Sequence, residues 1–248
     1  MLDAYLAQTR RLLQNPSAPL SLYADADLTA WINIARGQLA GEAECIRRIG
    51  TIDTVTDQQP YDFADIAIAN AATEGIDGVI KIRRISYSIA TGQRWITPRS
   101  WEWFELYVLN NPVPQGGVPT SWSQYAQGAA PGATGSGSGG SFYINLPDGA
   151  YTLNCDCVCY PAALEDDNDP EPIPYMWTDA VPFFAAYYAL LSAQTNDRMA
   201  DAERYFNYYT SFVERARIQS NPSVNRWMYQ QAGDPVQSGK VPQRQGGG

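Results

Sequence analysis

Leu2, Tyr5, Leu6, Thr9, Leu12 and Leu13 recur at helical spacing, so residues 2–14 read as an amphipathic helix. Asn15-Pro16 stops it, because a proline disfavours helical backbone in the residue before it. A linker, SAPLSLYADAD, leads to a second helix that begins near Asp25 or Asp27, either an acceptable cap, and runs to about Arg48. Leu28, Trp31, Ile32, Ala35, Leu39, Ala43 and Ile46 make its apolar stripe. From Gly50 the period changes. TIDTV and GVIKIRRISYSI read as strands, the latter rich in β-branched residues, and Tyr61–Ala72 between them fits a short helix or an irregular crossing. Thr91-Gly92 is a turn and Gln93–Thr97 a returning strand. Ser100 caps a short helix, WEWFELYVLN, which stops at Asn110-Asn111-Pro112, and Thr120–Ala126 reads as a further strand.

The stretch SFYINLPDGAYTLNCDCVCY contains two alternating runs joined by Pro147-Asp148-Gly149, which is turn chemistry. It predicts an antiparallel hairpin of Phe142–Leu146 with Tyr151–Tyr160. On an extended strand Cys155, Cys157 and Cys159 point to one face, with neighbours about 6.6 Å apart. Disulfide Cβ atoms must approach to about 4 Å, and two sulfurs on one zinc sit roughly 3.8 Å apart. Such a strand suits neither, and small apolar thiols packing a sheet face is the expected reading. A bulged strand, or a site completed by Cys45, stays open.

Helices resume near Thr178, with Pro182 tolerated in a first turn. Val181, Phe184, Tyr188 and Leu191 form one stripe, and Phe183, Tyr187 and Leu190 a second beside it, so this helix is buried on more than one side. Asn196-Asp197 interrupts, and another helix runs to about Gln219. Its seam is Ala202, Phe206, Tyr209, Val213 and Ala216, with Tyr205, Tyr208 and Phe212 as an additional aromatic face. These aromatics serve either the core or a subunit interface; the candidate interface residues are Phe183, Tyr187, Leu190, Tyr205, Tyr208 and Phe212. Asn221-Pro222 ends the helix. The remaining 221–248 has no sustained period, yet Val224, Arg226, Trp227, Met228 and Tyr229 form a cluster costly to leave in water. It is a candidate anchor for a partner, or it docks on its own domain.

Composition narrows the chemistry. The 248 residues contain no histidine, which removes histidine triads, histidine-ligated zinc and a histidine base. The net charge of −9 argues against a strongly basic nucleic-acid grip. Residues 221–248 hold Arg226, Lys240 and Arg244 against Asp234, leaving −11 on residues 1–220. MLDAYLAQTRR lacks the charge and apolar run of a signal peptide, and Ala180–Ala193 is too short to span a bilayer. Synthesis in a reducing cytoplasm, with free cysteines and no membrane association, is the expectation.

No constellation rises to an active site. Gln127–Ser141 is a Gly/Ser-rich loop whose Gly135, Gly137 and Gly140 match GxGxxG, but a strand rather than a helix follows. The acidic linker Glu165–Pro174 lacks the EF-hand glycine and distant glutamate and reads as a solvated loop. The pairs Asp25/Asp27, Asp62/Asp65 and Asp166/Asp167 have no motif to fix glycosidase geometry. The expectation is a non-enzyme with no catalytic residue, no cofactor and no metal site.

The order of parts carries a resemblance. DLTAWINIARGQLAGEAECI, then VIKIRRISYSIATGQRWITPRSWEWFELY, then IPYMWTDAVPFFAAYYALLSAQTNDRMADAERYFNYYTSFVERAR, resemble the head-to-tail adaptor (connector, or head-completion) proteins of tailed bacteriophages over most of residues 1–220. The resemblance implies an α+β fold: an antiparallel helical bundle from the N- and C-terminal helices, an inserted β-rich domain and an extended C-terminal arm. The corresponding division is 1–49 and 165–220 for the bundle, 50–164 for the β-rich insertion with its loop at 127–141, and 221–248 for the arm. It implies a structural virion protein at the head–tail junction, made in the bacterial host cytoplasm. The implied assembly is a closed ring of about twelve copies joining the portal protein to tail proteins (tube, nozzle or completion protein). DNA would pass through non-specifically along an acidic wall. Trp227 and Tyr229 would suit an arm reaching along the portal. A tail-tube or tail-completion ring protein, or a cytoplasmic carbohydrate- or small-molecule-binding domain, are the alternatives.

Overall fold

A computed structural model describes residues 1–15, 22–89, 92–110, 117–126, 139–192 and 198–220. Helix α1 spans Leu2–Leu13 and buries Leu2, Tyr5, Thr9 and Leu13, the face read from its spacing. Helix α2 spans Asp25–Ala43, shorter than expected at its C-terminal end. Glu44 closes it in the left-handed region at φ 52°, its N–H donating to the Ala40 carbonyl. Cys45 and Ile46 then lead straight into the sheet. Neither Asp25 nor Asp27 caps α2. Ala24 holds that position with extended backbone, and the two acids lie inside the first turn, where the helix dipole favours them. Asp25 pairs with Arg10 of α1.

Among the described residues eight strands form one sheet: β1 (Arg47–Asp53), β2 (Pro60–Asp62), β3 (Ala67–Ile68), β4 (Ile76–Ile89), β5 (Gly92–Pro98), β6 (Ser121–Gln124), β7 (Ser141–Ile144) and β8 (Thr152–Pro161). Their order is β2-β7-β6-β5-β4-β8-β1-β3. The two edge strands are therefore neighbours in the chain. Laid flat, eight strands put their edges roughly 34 Å apart, whereas Asp62 to Ala67 can span at most about 18 Å. The sheet has to curl. The turn Phe63–Asp65 bridges the gap, and Phe63 N–H donates to Gly140 O at 2.8 Å beside β7. Inside the curl Tyr61 and Phe142 stack at 5.6 Å, with Phe63 at 6.3 Å from Phe142. Tyr61–Ala72, left open between helix and crossing, is thus two short edge strands around a 3-10 turn, with a second 3-10 turn beginning at Ala72.

The expected hairpin of 142–146 with 151–160 does not form. β7 pairs with β6 and β2, while β8 lies between β1 and β4. The Pro147-Asp148-Gly149 segment is engaged elsewhere. Asp57 N–H donates to Pro147 O, and Gly117 and Leu146 are joined by a backbone bond. Tyr151 N–H donates to Thr54 Oγ1 at 2.8 Å, which hands the chain to β1. Asn145 binds the backbone of Thr120 and Ser121 through its Oδ1, which fixes the other end to β6.

The cysteine strand is an interior strand of the sheet, between β4 and β1. Leu153, Cys155, Cys157 and Cys159 are all fully buried, opposite Tyr87, Ile85, Ile82 and Val79 of β4. All four cysteines are free. Among the described residues no three His, Cys, Asp or Glu side chains are grouped to hold a metal ion.

Ser100 Oγ accepts from Trp103 N–H, as expected, at the start of α3 (Trp101–Phe104), but the helix then widens into a π-helical turn over Glu105–Leu109. Helices α4 (Ala180–Ser192) and α5 (Met199–Ser220) complete the described residues. α4 lies against α1, α2 and α5, and α2 also rests on β8. Ala186, Ala189, Leu190 and Ala202 pack with Leu13 and Leu28, joining α1, α2, α4 and α5 in one cluster. The fold is α+β, as expected. Among the described residues no helix is long and apolar enough to cross a membrane.

Candidate assembly interface

The most concentrated chemistry among the described residues is aromatic and lies along α4 and α5. Phe183 is surrounded by Tyr208 at 5.4 Å, Phe212 at 6.1 Å and Tyr205 at 6.3 Å, three rings from successive turns of α5. Two guanidiniums cover its outer edge: Arg215 over Phe212 at 4.6 Å and Arg204 over Tyr208 at 5.6 Å. Rings capped by arginine are amphipathic and suit an interface that must also tolerate water. On the inner side Phe184 meets Tyr209 at 4.7 Å, while Tyr187 meets Phe206, itself exposed, at 4.9 Å. Tyr209 is fully buried, and its hydroxyl donates to Glu42 Oε2 at 2.8 Å. Burial first, then the Glu42 charge and hydrogen bond, push its phenol well above the ordinary value.

The six candidate interface residues fall into three kinds. Leu190 is buried within the chain and has no free face. Tyr205 is half-buried and tied down, its hydroxyl donating to the Leu12 carbonyl at 2.8 Å. Phe183, Tyr187 and Phe212 are half-buried, and Tyr208 is 42% exposed. Val224, Arg226, Trp227, Met228 and Tyr229 lie outside the described residues, as do 127–138 of the Gly/Ser-rich loop.

A family model described as "SU10 adaptor protein" matches residues 2–236. The chain belongs to the SU10 adaptor protein family. The resemblance to adaptor proteins read from the order of helices and strands is thereby borne out. No curated protein matches the chain. A solved structure described as "Neck of empty GTA particle computed with C6 symmetry" matches 81% of this chain and 87% of its own, at 16% identity and a TM-score of 0.26. The family assignment rests on the family model.

In this adaptor chain the acidic linker is more than the solvated loop expected of it. Glu171 is nearly closed off from water against Arg36, which is itself fully buried. Arg36 Nη1 also donates to Ala162 O at 2.7 Å and to Asn33 Oδ1 at 3.0 Å, while Tyr5 O–H reaches Glu171 Oε2 at 2.9 Å. Asp167 binds the N-terminal amine and the Asp3 N–H, which lowers its pKa. The signal for this site was present. Arg36 falls on the same helical face as Ile32 and Leu39, so its charge required a buried acid.

A second arrangement was not legible in the sequence. The register of β4 on β8 slips between Ile82 and Arg84, a bulge that makes Arg83 an extra residue. Arg83 turns to Glu44, at 3.6 Å, and Arg84 lies over the Trp95 ring at 5.9 Å. Burial pushes the Arg83 guanidinium below its ordinary value. The result is a cleft of about 480 Å³ lined by Arg47, Arg48, Ile49, Arg84, Trp95 and Asp156. Ile49 and Trp95 of its lining are 68% and 58% exposed.

Proposed function

We propose that this chain is a structural protein of the head–tail junction in a tailed bacteriophage. It would form a closed ring that joins the portal to the tail and extends the channel through which DNA passes. The family match over residues 2–236 carries this reading. The aromatic face supports it. Phe183, Tyr187, Tyr208 and Phe212 remain only partly covered by their own chain, with arginines at the rim, as a contact between copies requires. Residues 1–49 and 165–220 supply the helical layer of each copy, 50–164 the β-rich part, and 221–248 the arm. In the arm Val224, Arg226, Trp227, Met228 and Tyr229 anchor the ring to the portal. The net charge of −9 suits a wall along which DNA slides without sticking. The protein acts by position rather than by catalysis, without a cofactor.

Quantitative mass spectrometry of gradient-purified particles tests the reading. About a dozen copies per particle is the expected count for a single cyclic ring. Many dozens would make the chain a tube or decoration protein, and absence from particles would overturn the structural role.

A further inference from the structure

The cleft on the outer face of the sheet has an unequal charge balance. Arg47 is held by Asp156, with Nε to Oδ1 at 3.2 Å, and Arg48 by Glu74. Arg84, also exposed, makes no ion pair among the described residues; it lies over the Trp95 ring and across from Asp156, which Arg47 already holds. A cation beside an exposed indole and an exposed isoleucine, on a chain of net charge −9, calls for an acidic partner with some apolar surface.

The chain carries such a surface elsewhere. Glu165, Asp166 and Asp167 are exposed in a loop that is already ordered. Asp169 Oδ2 accepts from the Glu165 and Asp166 N–H groups at 2.6 and 2.9 Å, and Asn33 Oδ1 accepts from Leu164 N–H at 2.9 Å. Little chain entropy remains to be lost when this loop binds. Pro170 follows it and is exposed, with its carbonyl packed against Gly75 just before β4. The loop is thereby fixed at the Pro161 end of β8, across from Ile76. Arg84 lies across from Asp156, five strand residues away and so roughly 17 Å along the sheet. Two surfaces of opposite sign therefore sit at separate stations on one rigid sheet. A contact between different patches of identical copies is heterologous, the kind that propagates around a ring.

We propose that the cleft of Arg47, Arg84 and Trp95 receives the acidic loop Glu165–Asp169 of a second copy. Glu165 faces Arg84, and Pro170 lies toward the Trp95 ring. This rests on the ring reading and names a charged contact that would set the register of neighbours beside the aromatic face.

Arg84→Glu and Glu165→Arg test it, because neither side chain anchors its own backbone in a described hydrogen bond. Self-association is followed by sedimentation velocity at about 50 and 500 mM salt, with folding checked by circular dichroism. The wild-type chain associates, less at high salt. Each variant alone stays folded and associates about tenfold more weakly. Mixed in equal amounts, the two variants recover. The reversed cleft of one then meets the reversed loop of the other, and the unaltered cleft of the second meets the unaltered loop of the first. If the wild type associates and the single variants match it, this contact is wrong while the ring reading stands. If both singles weaken and the mixture does not recover, the two surfaces do not pair, and the proposal falls. A wild-type chain monomeric at every concentration overturns the proposal and the ring reading together. Retention of a short DNA duplex by the wild type but not by Arg84→Glu, with self-association unchanged, would make the cleft a phosphate site instead.

Discussion

The guanidinium of Arg36 and the carboxylate of Glu171 face each other through two hydrogen bonds, Nε to Oε2 at 2.9 Å and Nη2 to Oε1 at 3.1 Å. The pair ties α2 to the linker that enters α4, and Tyr5 brings α1 to the same carboxylate. Removing one partner leaves a buried charge. Glu171→Leu alone is expected to cost about 3–5 kcal/mol of unfolding free energy, whereas Arg36→Met with Glu171→Leu recovers most of it. Urea denaturation of the two variants decides. Equal losses in both would mean that the ion pair is not what organises this junction.

The buried thiols give a pH signature. Burial pushes Cys45 and Cys155 up to about 12 and Cys159 to about 11, from an ordinary value of 9.0. Cys157 moves in the same direction. A group with its folded pKa raised contributes its full stability below the unfolded value and loses it as pH climbs toward the folded one. Stability should therefore hold to about pH 9 and fall progressively toward pH 12. The buried phenols of Tyr5 and Tyr209, raised by burial, act in the same sense at higher pH. Denaturation midpoints at stepped pH would show it. A thiol reagent at pH 8 should label none of the four until the chain unfolds, and rapid labelling of the native protein would contradict the burial.

Gly50 marks where the sheet closes. It lies on β1 across from Ile68 of β3. A methyl group there would overlap Cγ2 of Ile66 and approach Cγ1 of Ile68 to 3.3 Å. Gly50→Ala is expected to destabilise by about 1–3 kcal/mol through overpacking. Gly41→Ala is the control, since a methyl there meets nothing within 4 Å on helix α2. Equal melting temperatures for the two would remove this junction from the account of closure.

What the sequence made legible follows the range of the interactions involved. The stripe of α1, the Ser100 cap and the one-sided burial of Cys155, Cys157 and Cys159 depend on neighbours a few residues apart, and all were readable. The partner of β7 was not. Pro147-Asp148-Gly149 is a good turn wherever it leads, and Thr54 and Asn145 decide the pairing from positions far along the chain. The same holds for the cleft. Consecutive arginines at 83 and 84 give no sign of a bulge until β4 is laid on β8. Of the interface, the aromatic content was legible, but the division between covered and open rings was not. Leu190 and Tyr205 are placed by α1, which the pattern of α4 and α5 does not reveal.

Removing residues 221–248 is expected to leave the fold intact. Ala216 is the last buried residue of α5, and Ser220 ends the helix with its carbonyl accepting from Arg47 Nη1 at 3.3 Å. The truncated chain should keep its melting temperature within a degree or two, about what a surface change produces, and lose attachment to the portal. Pull-down by the portal protein reads the second effect. Undiminished capture would show that Trp227 and its neighbours are not the anchor.

Tyr205 and Tyr208 provide the sharpest division between core and interface, because they lie three residues apart on α5 and differ in what holds them. Tyr205 packs at 6.3 Å from Phe183 and donates to the Leu12 carbonyl. Tyr205→Ser should therefore cost about 1–3 kcal/mol in the monomer, from lost burial and an orphaned carbonyl. Tyr208 donates no described hydrogen bond; its hydroxyl accepts from Arg204 Nε and Nη2 at 3.3 Å, and the residue, though packed on Phe183, stays 42% exposed. Tyr208→Ser should cost the monomer less than Tyr205→Ser, about 0.5–1 kcal/mol for the ring contact with Phe183. Phe212, covered by Phe183 on one side and Arg215 on the other, should fall between them. Association should rank differently, with Tyr208→Ser and Phe212→Ser weakening it most, since a partly solvated aromatic gains most when a partner covers it. Melting curves and sedimentation of the three variants separate the two rankings. If stability and association fell in parallel, the aromatic face would be core, and the contact between copies would have to lie on another surface.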